Sequence, residues 1–351
     1  MSRAVHSIPF ATGLQRVAEG ASAYLQPDGH YGLNNVAVFW TDDGAVMVDA
    51  AYDIPRTRRI VGAIQAEARD GRIAALVLTH EHGDHTFGAS EVPTGEVIMT
   101  ATAAQSQQRA PAALAARIGG LGEESRAMME TLLQDKFDFS GIRLRKPTRT
   151  FSGRMTLHAG AAELELVEFG NIHTASDCAV IDRASGVAAA GDMMFADSHV
   201  PLFAPNAARW AKALEDLLAT GCTRFVPGHG RICDEDDVRQ HRDYLLWLLE
   251  LAHRSHAAGL TPDEAADRAV QSLGEWSALE RPDVLVNSLA VAYREVAPDY
   301  PVQSYADSLA QRWRFRSRWA GRVAGMNPPL PLHTRLGGMR TLSELRLAVQ
   351  D

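Results

Sequence analysis

Thr79-His80-Glu81-His82-Gly83-Asp84-His85 is the stretch that decides how this chain is understood. It follows a short continuous apolar run, Ile73 to Leu78, of the kind that forms a buried strand. The polar cluster therefore sits on a loop just past the carboxyl end of a strand. Imidazole and carboxylate ligate borderline divalent metals at about 2.0 to 2.2 Å. A loop leaving a strand can aim alternate residues, His80 and His82, at one ion. The next two positions, Asp84 and His85, can then face a neighbouring ion. Gly83 relaxes the turn, because it tolerates backbone conformations that a side chain forbids. The competing reading is a solvated polar turn, and three histidines within six residues weigh against it.

Three later residues share the strand-end context. They are His173 in Gly170-Asn171-Ile172-His173-Thr174, Asp192 in Ala190-Gly191-Asp192, and His229 in Val226-Pro227-Gly228-His229-Gly230. Each has a bland alternative: a hydrogen-bonded histidine, a helix N-cap for Asp192, and an ordinary turn histidine. Against these, one carboxylate can bridge two ions through its two oxygens, and the glycines around His229 leave space for a ligand. The whole set offers five imidazoles and two carboxylates, chemistry that suits zinc or iron.

Outward from these residues the pattern alternates strands and helices. Val36 to Trp40 and Ala45 to Asp49 form a hairpin across Asp43-Gly44. An amphipathic helix is expected over 55–69, with Ile60, Ile64 and Ala68 inward. The alanine-rich segment 101–136 is expected to be helical, broken at Gly119-Gly120, and is a candidate lid. Strands are expected over 154–158, 162–169, 178–182, 187–190 and 224–226. Helices follow over 206–219, 234–257, 262–273 and 283–296. Domain boundaries are expected as 1–233 for the mixed unit, 234–297 for a helical lid or dimer contact, and 298–351 for a tail that is partly helical and partly irregular. Gln311 to Trp319 interleaves arginine with aromatics, and an amphipathic helix burying Phe315, Trp319 and Val323 is preferred over a surface for an acidic or nucleic-acid partner.

Composition bounds the function. The chain has 351 residues, 46% hydrophobic and 22% charged, as in ordinary globular proteins. A net charge of -8 gives no overall field to attract nucleic acid. Cys178, Cys222 and Cys233 show no paired spacing, so no disulfide framework is expected, and Cys178 is expected to be a small core residue. No apolar run reaches the length of a membrane span. The start, Met1-Ser2-Arg3, leads into no signal-peptide core, and a cytoplasmic protein is expected.

Taken in order, these motifs resemble the metallo-β-lactamase superfamily signature, H-x-H-x-D-H followed by a later His, a bridging Asp and a final His, in the manner of glyoxalase II. The resemblance covers roughly residues 12 to 240. It implies an α+β fold, an αββα sandwich with the site at one edge and a C-terminal helical extension. It also implies that His80, His82 and His173 hold one metal, that Asp84, His85 and His229 hold a second, and that Asp192 bridges them. Two divalent ions follow, zinc first and iron as the alternative. The implied activity is a dinuclear hydrolase whose metal-bridging hydroxide attacks a carbonyl of a small molecule (ester, lactone, thioester or amide-type), with Asp84 orienting the nucleophile or moving its proton. An iron-dependent oxygenase of the persulfide dioxygenase kind is the alternative. The expected partners are the small-molecule substrate and a second copy in a homodimer, with no nucleic acid and no membrane. Three positions depart from the family pattern. His85-Thr86-Phe87-Gly88 replaces the usual H-x-G-G, Ser176 stands where glycine is common, and Met193-Met194-Phe195 lacks the tyrosine of quorum-lactone hydrolases. Asp177 is a candidate partner orienting a ligand histidine, and His30 to Asn34, Phe195, Asp197 and His199 are candidate pocket residues.

Overall fold

Alternating burial along the strands builds two sheets that share one apolar interior. The computed structural model describes residues 8–134, 136–323, 326–332 and 348–349. The first part of the chain forms β1 (Gly13–Ala18), β2 (Ala21–Leu25), β3 (Val36–Thr41), β4 (Gly44–Val48), α1 (Ile54–Glu67), β5 (Ile73–Val77), α2 (Gly83–Thr86), β6 (Val97–Thr100), α3 (Ala101–Gly119) and α4 (Glu123–Leu133). Next come β7 (Arg143–Leu144), β8 (Arg149–Phe151), β9 (Arg154–Ala159), β10 (Ala162–Gly170), β11 (Asp177–Asp182), β12 (Val187–Phe195), α5 (Ala207–Leu218) and β13 (Arg224–His229). The chain continues through α6 (Glu235–Ala257), α7 (Pro262–Ala269), α8 (Val284–Val296), α9 (Tyr305–Trp319) and β14 (Ala348–Val349).

One sheet has the order β1-β2-β3-β4-β5-β6-β8 and the other β13-β12-β11-β10-β9. Val46, Val48, Val77 and Ile98 of the first meet Leu164, Leu166, Val180 and Val226 of the second in a shared core cluster. The opposite face of the first sheet, with Met47, Leu76 and Met99, packs on Ile60 and Ile64 of α1 and on Ala103 of α3. The opposite face of the second sheet packs on Trp210, Leu214, Tyr244, Leu248, Leu289 and Phe315 from the later helices. The layers are therefore helix, sheet, sheet, helix, with the C-terminal helices continuing the outer layer of the second sheet.

Local chemistry sets the boundaries. Asp53 caps α1 by accepting from Arg56 N, and Pro55 suits the first turn because it has no amide hydrogen to leave unpaired. Asp234 opens α6 through a capping box with Asp237. Two of the expected strand ends need correction. β12 runs on to Phe195 and β13 to His229, so Asp192 and His229 belong to strands rather than to the loops after them. Pairing between these parallel strands shifts register on both sides of Gly191, whose φ of 52° lets the strand turn its next side chain out of regular alternation. Asp84 and His85 lie on the single turn of α2, not on an open loop. α9 buries Phe315 as expected. No helix among the described residues is long and apolar enough to cross a membrane. Residues 1–7, on which the expectation about the chain start rests, and residues 333–347 of the tail lie outside the described residues.

Candidate metal centre

The candidate side chains converge from both sheets at one edge of the sandwich. β5 delivers the turn from Thr79 to His85, the β10–β11 connection delivers His173, and β12 and β13 deliver Asp192 and His229. Two groups of donor atoms result. His80, His82, His173 and Asp192 form one, and Asp84, His85 and His229 form the other, with donor atoms in each group within 4.8 Å of one another. Asp192 stands between them. Its Oδ2 lies 3.2 Å from His173 Nε2 and 3.8 Å from His80 Nε2, while its Oδ1 lies 3.1 Å from His85 Nε2 and 3.6 Å from His229 Nε2. His82 Nδ1 lies 3.1 Å from His173 Nε2, and Asp84 Oδ2 lies 3.3 Å from His229 Nε2. All seven predicted side chains are thus brought together.

Buried polar atoms normally find partners. Here His80 Nε2, His85 Nε2 and Asp192 Oδ1 are enclosed and make no hydrogen bond, although they point at one another. Buried nitrogen and carboxylate donors that converge in this way are what a cation would satisfy, so the donor set fits divalent metal. The electrostatics agree. Burial, reinforced by His85, drives the His80 imidazole well below its ordinary pKa, and burial with His173 lowers His82 to about 3. Both are therefore neutral, as ligands must be. Burial opposes charge on Asp84, yet His229 and His85 hold its carboxyl down at about 2. Burial likewise opposes His85, but Asp192 and Asp49 outweigh it and raise the imidazole. That elevation reflects the two carboxylates that face the ring from either side.

Further residues position the cluster. Asp49, buried at the end of β4, accepts from Thr79 N and Thr79 Oγ1 at 2.8 Å each and lies 2.8 Å from His85 Nδ1. It fixes the turn and leaves His85 Nε2 to face the site. Thr79 Oγ1 is in turn 3.0 Å from His80 Nδ1. Asp177 accepts from Ile172 N at 3.2 Å and Thr174 N at 2.8 Å, so it shapes the backbone around His173 rather than touching the ring. His229 Nδ1 meets the Gly29 carbonyl at 3.1 Å. Asn35 Nδ2 donates to Pro227 O at 3.0 Å and Gly230 O at 2.8 Å, tying the segment before β3 to the His229 turn.

Of the pocket candidates, Phe195 stacks on His229, with centroids 5.5 Å apart and planes 6° from parallel. Asp197 is engaged by Arg231, and His199 is buried against Tyr244 Oη at 2.8 Å. Phe87 joins a buried cluster with Tyr52, Phe137 and Phe139. Cys178 is fully buried. Sequence reasoning missed Asp49, Tyr52 and Phe203. Phe203 is 57% exposed yet sits 5.0 Å from the His173 ring and 5.6 Å from His82, forming an apolar lip over the first donor group. The position of Asp49 at the end of an apolar strand was the one cue available for it.

The metallo-β-lactamase superfamily signature matches residues 31–99, a span that includes the first histidine turn and Asp49. Its fold is that of the metallo-β-lactamase superfamily. The stereoselective inverting sec-alkylsulfatase from Pseudomonas sp. superimposes with a TM-score of 0.63 at 17% identity, over 82% of this chain and 51% of that one. A double mutant of that sulfatase gives 0.64 with the same identity and coverage. A metallo-β-lactamase from Hirschia baltica gives 0.49 at 14% identity, over 66% of this chain and 96% of that one. This chain spans about half the length of the alkylsulfatase structures it matches. No curated protein sequence matches it. The sulfatase neighbours are hydrolases by name, and the His and Asp groups described above could hold metal in this chain.

Proposed function

We propose that the protein is a dinuclear metal-dependent hydrolase that cleaves an ester, lactone, thioester or amide-type bond of a small molecule. The observation that carries this reading is Asp192, whose two oxygens face two separate donor groups. In this reading His80, His82 and His173 hold one ion, Asp84, His85 and His229 hold the other, and Asp192 is shared. Zinc is the first expectation for such donors. Paired divalent ions, when bound, lower the pKa of a water to roughly 7 and polarise a carbonyl.

The chain's own residues do the rest. Asp84 stays ionised, and its carboxylate is the proton acceptor available to an attacking water. Asp49 and Thr79 hold the His80 and His85 rings so that little reorganisation is left for the reaction. Phe195 and Phe203 cover the imidazoles with apolar surface and exclude bulk water. Tyr31 and Tyr52, close enough for Asp84 to act on both, have phenols raised well above their ordinary pKa, chiefly by burial. They remain protonated and can donate hydrogen bonds to substrate.

Metal analysis of protein purified without added metal, run with a panel of esters, lactones, thioesters, β-lactams and a secondary alkyl sulfate, tests this reading. About two divalent ions per chain with carbonyl hydrolysis supports it. Iron with oxygen uptake, and no hydrolysis, would replace it with the oxygenase alternative.

A further inference from the structure

Arg281 sits just before α8 in the left-handed region, at φ 58°. Its neighbour Glu280 is stitched to the segment after β12. Glu280 N donates to Asp197 O at 2.8 Å, and His199 N donates to Glu280 O at 2.9 Å. From the other side the Glu280 carboxylate meets His30, in the loop whose Gly29 carbonyl faces His229. Arg281 is thus pinned between the two loops that flank the donor cluster, and Asp192 is among the charges that act on it.

The guanidinium is partly buried, and it makes no hydrogen bond or ion pair among the described residues. It offers five donors in a planar fork. The nearby carboxylate is already engaged. Asp283 accepts from Arg312 Nε at 2.9 Å and Nη2 at 2.6 Å, and Arg316 Nη1 approaches it at 4.0 Å. Three guanidiniums, those of Arg281, Arg312 and Arg316, therefore act on one carboxylate, leaving positive charge in excess around it. Holding an unpaired cation away from water is costly. A cost of that kind is offset when an anion arrives to pair with it, and guanidinium matches a carboxylate or sulfate with two parallel hydrogen bonds.

We propose that Arg281 is the anion-reading residue of the substrate pocket, gripping an oxyanion group that the substrate carries beside its scissile bond. The word substrate rests on the hydrolase reading, while the anion site itself does not. The test is equilibrium binding by calorimetry to the metal-loaded full chain at low ionic strength. The probes are glutarate, inorganic sulfate and inorganic phosphate, with dimethyl glutarate as the uncharged control. Wild type should prefer at least one anion over the uncharged control, weakening with salt, and the strongest of the three identifies the group. Arg281→Asn is the informative variant, because Asn tolerates the left-handed backbone. It should bind that anion at least about tenfold more weakly with unchanged metal content. Arg281→Lys, which keeps the charge without the fork, should fall between and serves if the Asn variant does not fold. Equal anion affinity in wild type and variant, or no preference in wild type, would overturn the proposal. Arg281-dependent binding without turnover of any ester, lactone, thioester, β-lactam or alkyl sulfate in the panel would remove the hydrolase reading and leave the anion site. Turnover with Arg281-independent binding would do the reverse.

Discussion

Asp49 does more for the histidine turn than any residue within it. One carboxylate holds the Thr79 amide, the Thr79 hydroxyl and the His85 ring. Its backbone is left-handed, φ 68°, a region that Asp visits more readily than most residues. Asp49→Asn keeps the shape and removes the charge. It should weaken metal binding by about 10- to 100-fold while the fold persists. Competition with a chelator measures this, and unchanged affinity would show that the turn orders itself. At this scale the sequence was legible where chemistry is concentrated, in His80, His82, Asp84 and His85. It was not legible where a single polar residue acts across thirty positions of chain, as Asp49 does on Thr79. Its place at the end of an apolar strand is the one local cue, and it does not say which residue Asp49 will hold.

At the level of elements, the close pass of β12 and β13 shapes the site. A Cβ on Gly228 would fall 1.9 Å from Asp192 Oδ1 and 2.9 Å from the Asp192 amide nitrogen, so even alanine must displace the carboxylate or part the strands. Gly228→Ala should reduce metal affinity and turnover by at least about tenfold, since supporting residues carry that much. Wild-type affinity in this variant would contradict the placement of Asp192. The strands themselves were visible in the apolar runs, but their ends were not. The glycines at 191 and 228 resembled turn residues, whereas the structure uses them inside irregular pairing to let two strands and a carboxylate share one space. The short strands β6, β7 and β8 went unread, because two to four residues carry too little alternation to be recognised.

Across the whole molecule, the helical layer over the second sheet buries titratable groups that take no part in the donor cluster. Burial lowers His241 to about 3 and His199 to about 4. The unfolded chain takes up protons at these rings below about 6.5, and the native state does not until those lower values are reached. Stability should therefore fall as pH drops from about 6.5 toward 3, by up to about 1.4 kcal/mol per pH unit for each ring. His241→Leu should reduce that slope by about the share of one ring, read from urea midpoints between pH 6 and 4. An identical slope would show that His241 is not buried as described. The layer order was legible from the strand and helix pattern together with the superfamily resemblance. The cluster that joins Leu33, Tyr52, Phe87, Phe137 and Leu309 was not, because its members come from distant parts of the chain. The account stands or falls on whether its two donor groups hold metal together. Metal content and turnover of wild type and His229→Ala, both purified without added metal, decide it most directly. The account predicts about two divalent ions per chain in wild type and the joint loss of metal and activity in the variant. Retention of both ions with full turnover in His229→Ala would contradict it.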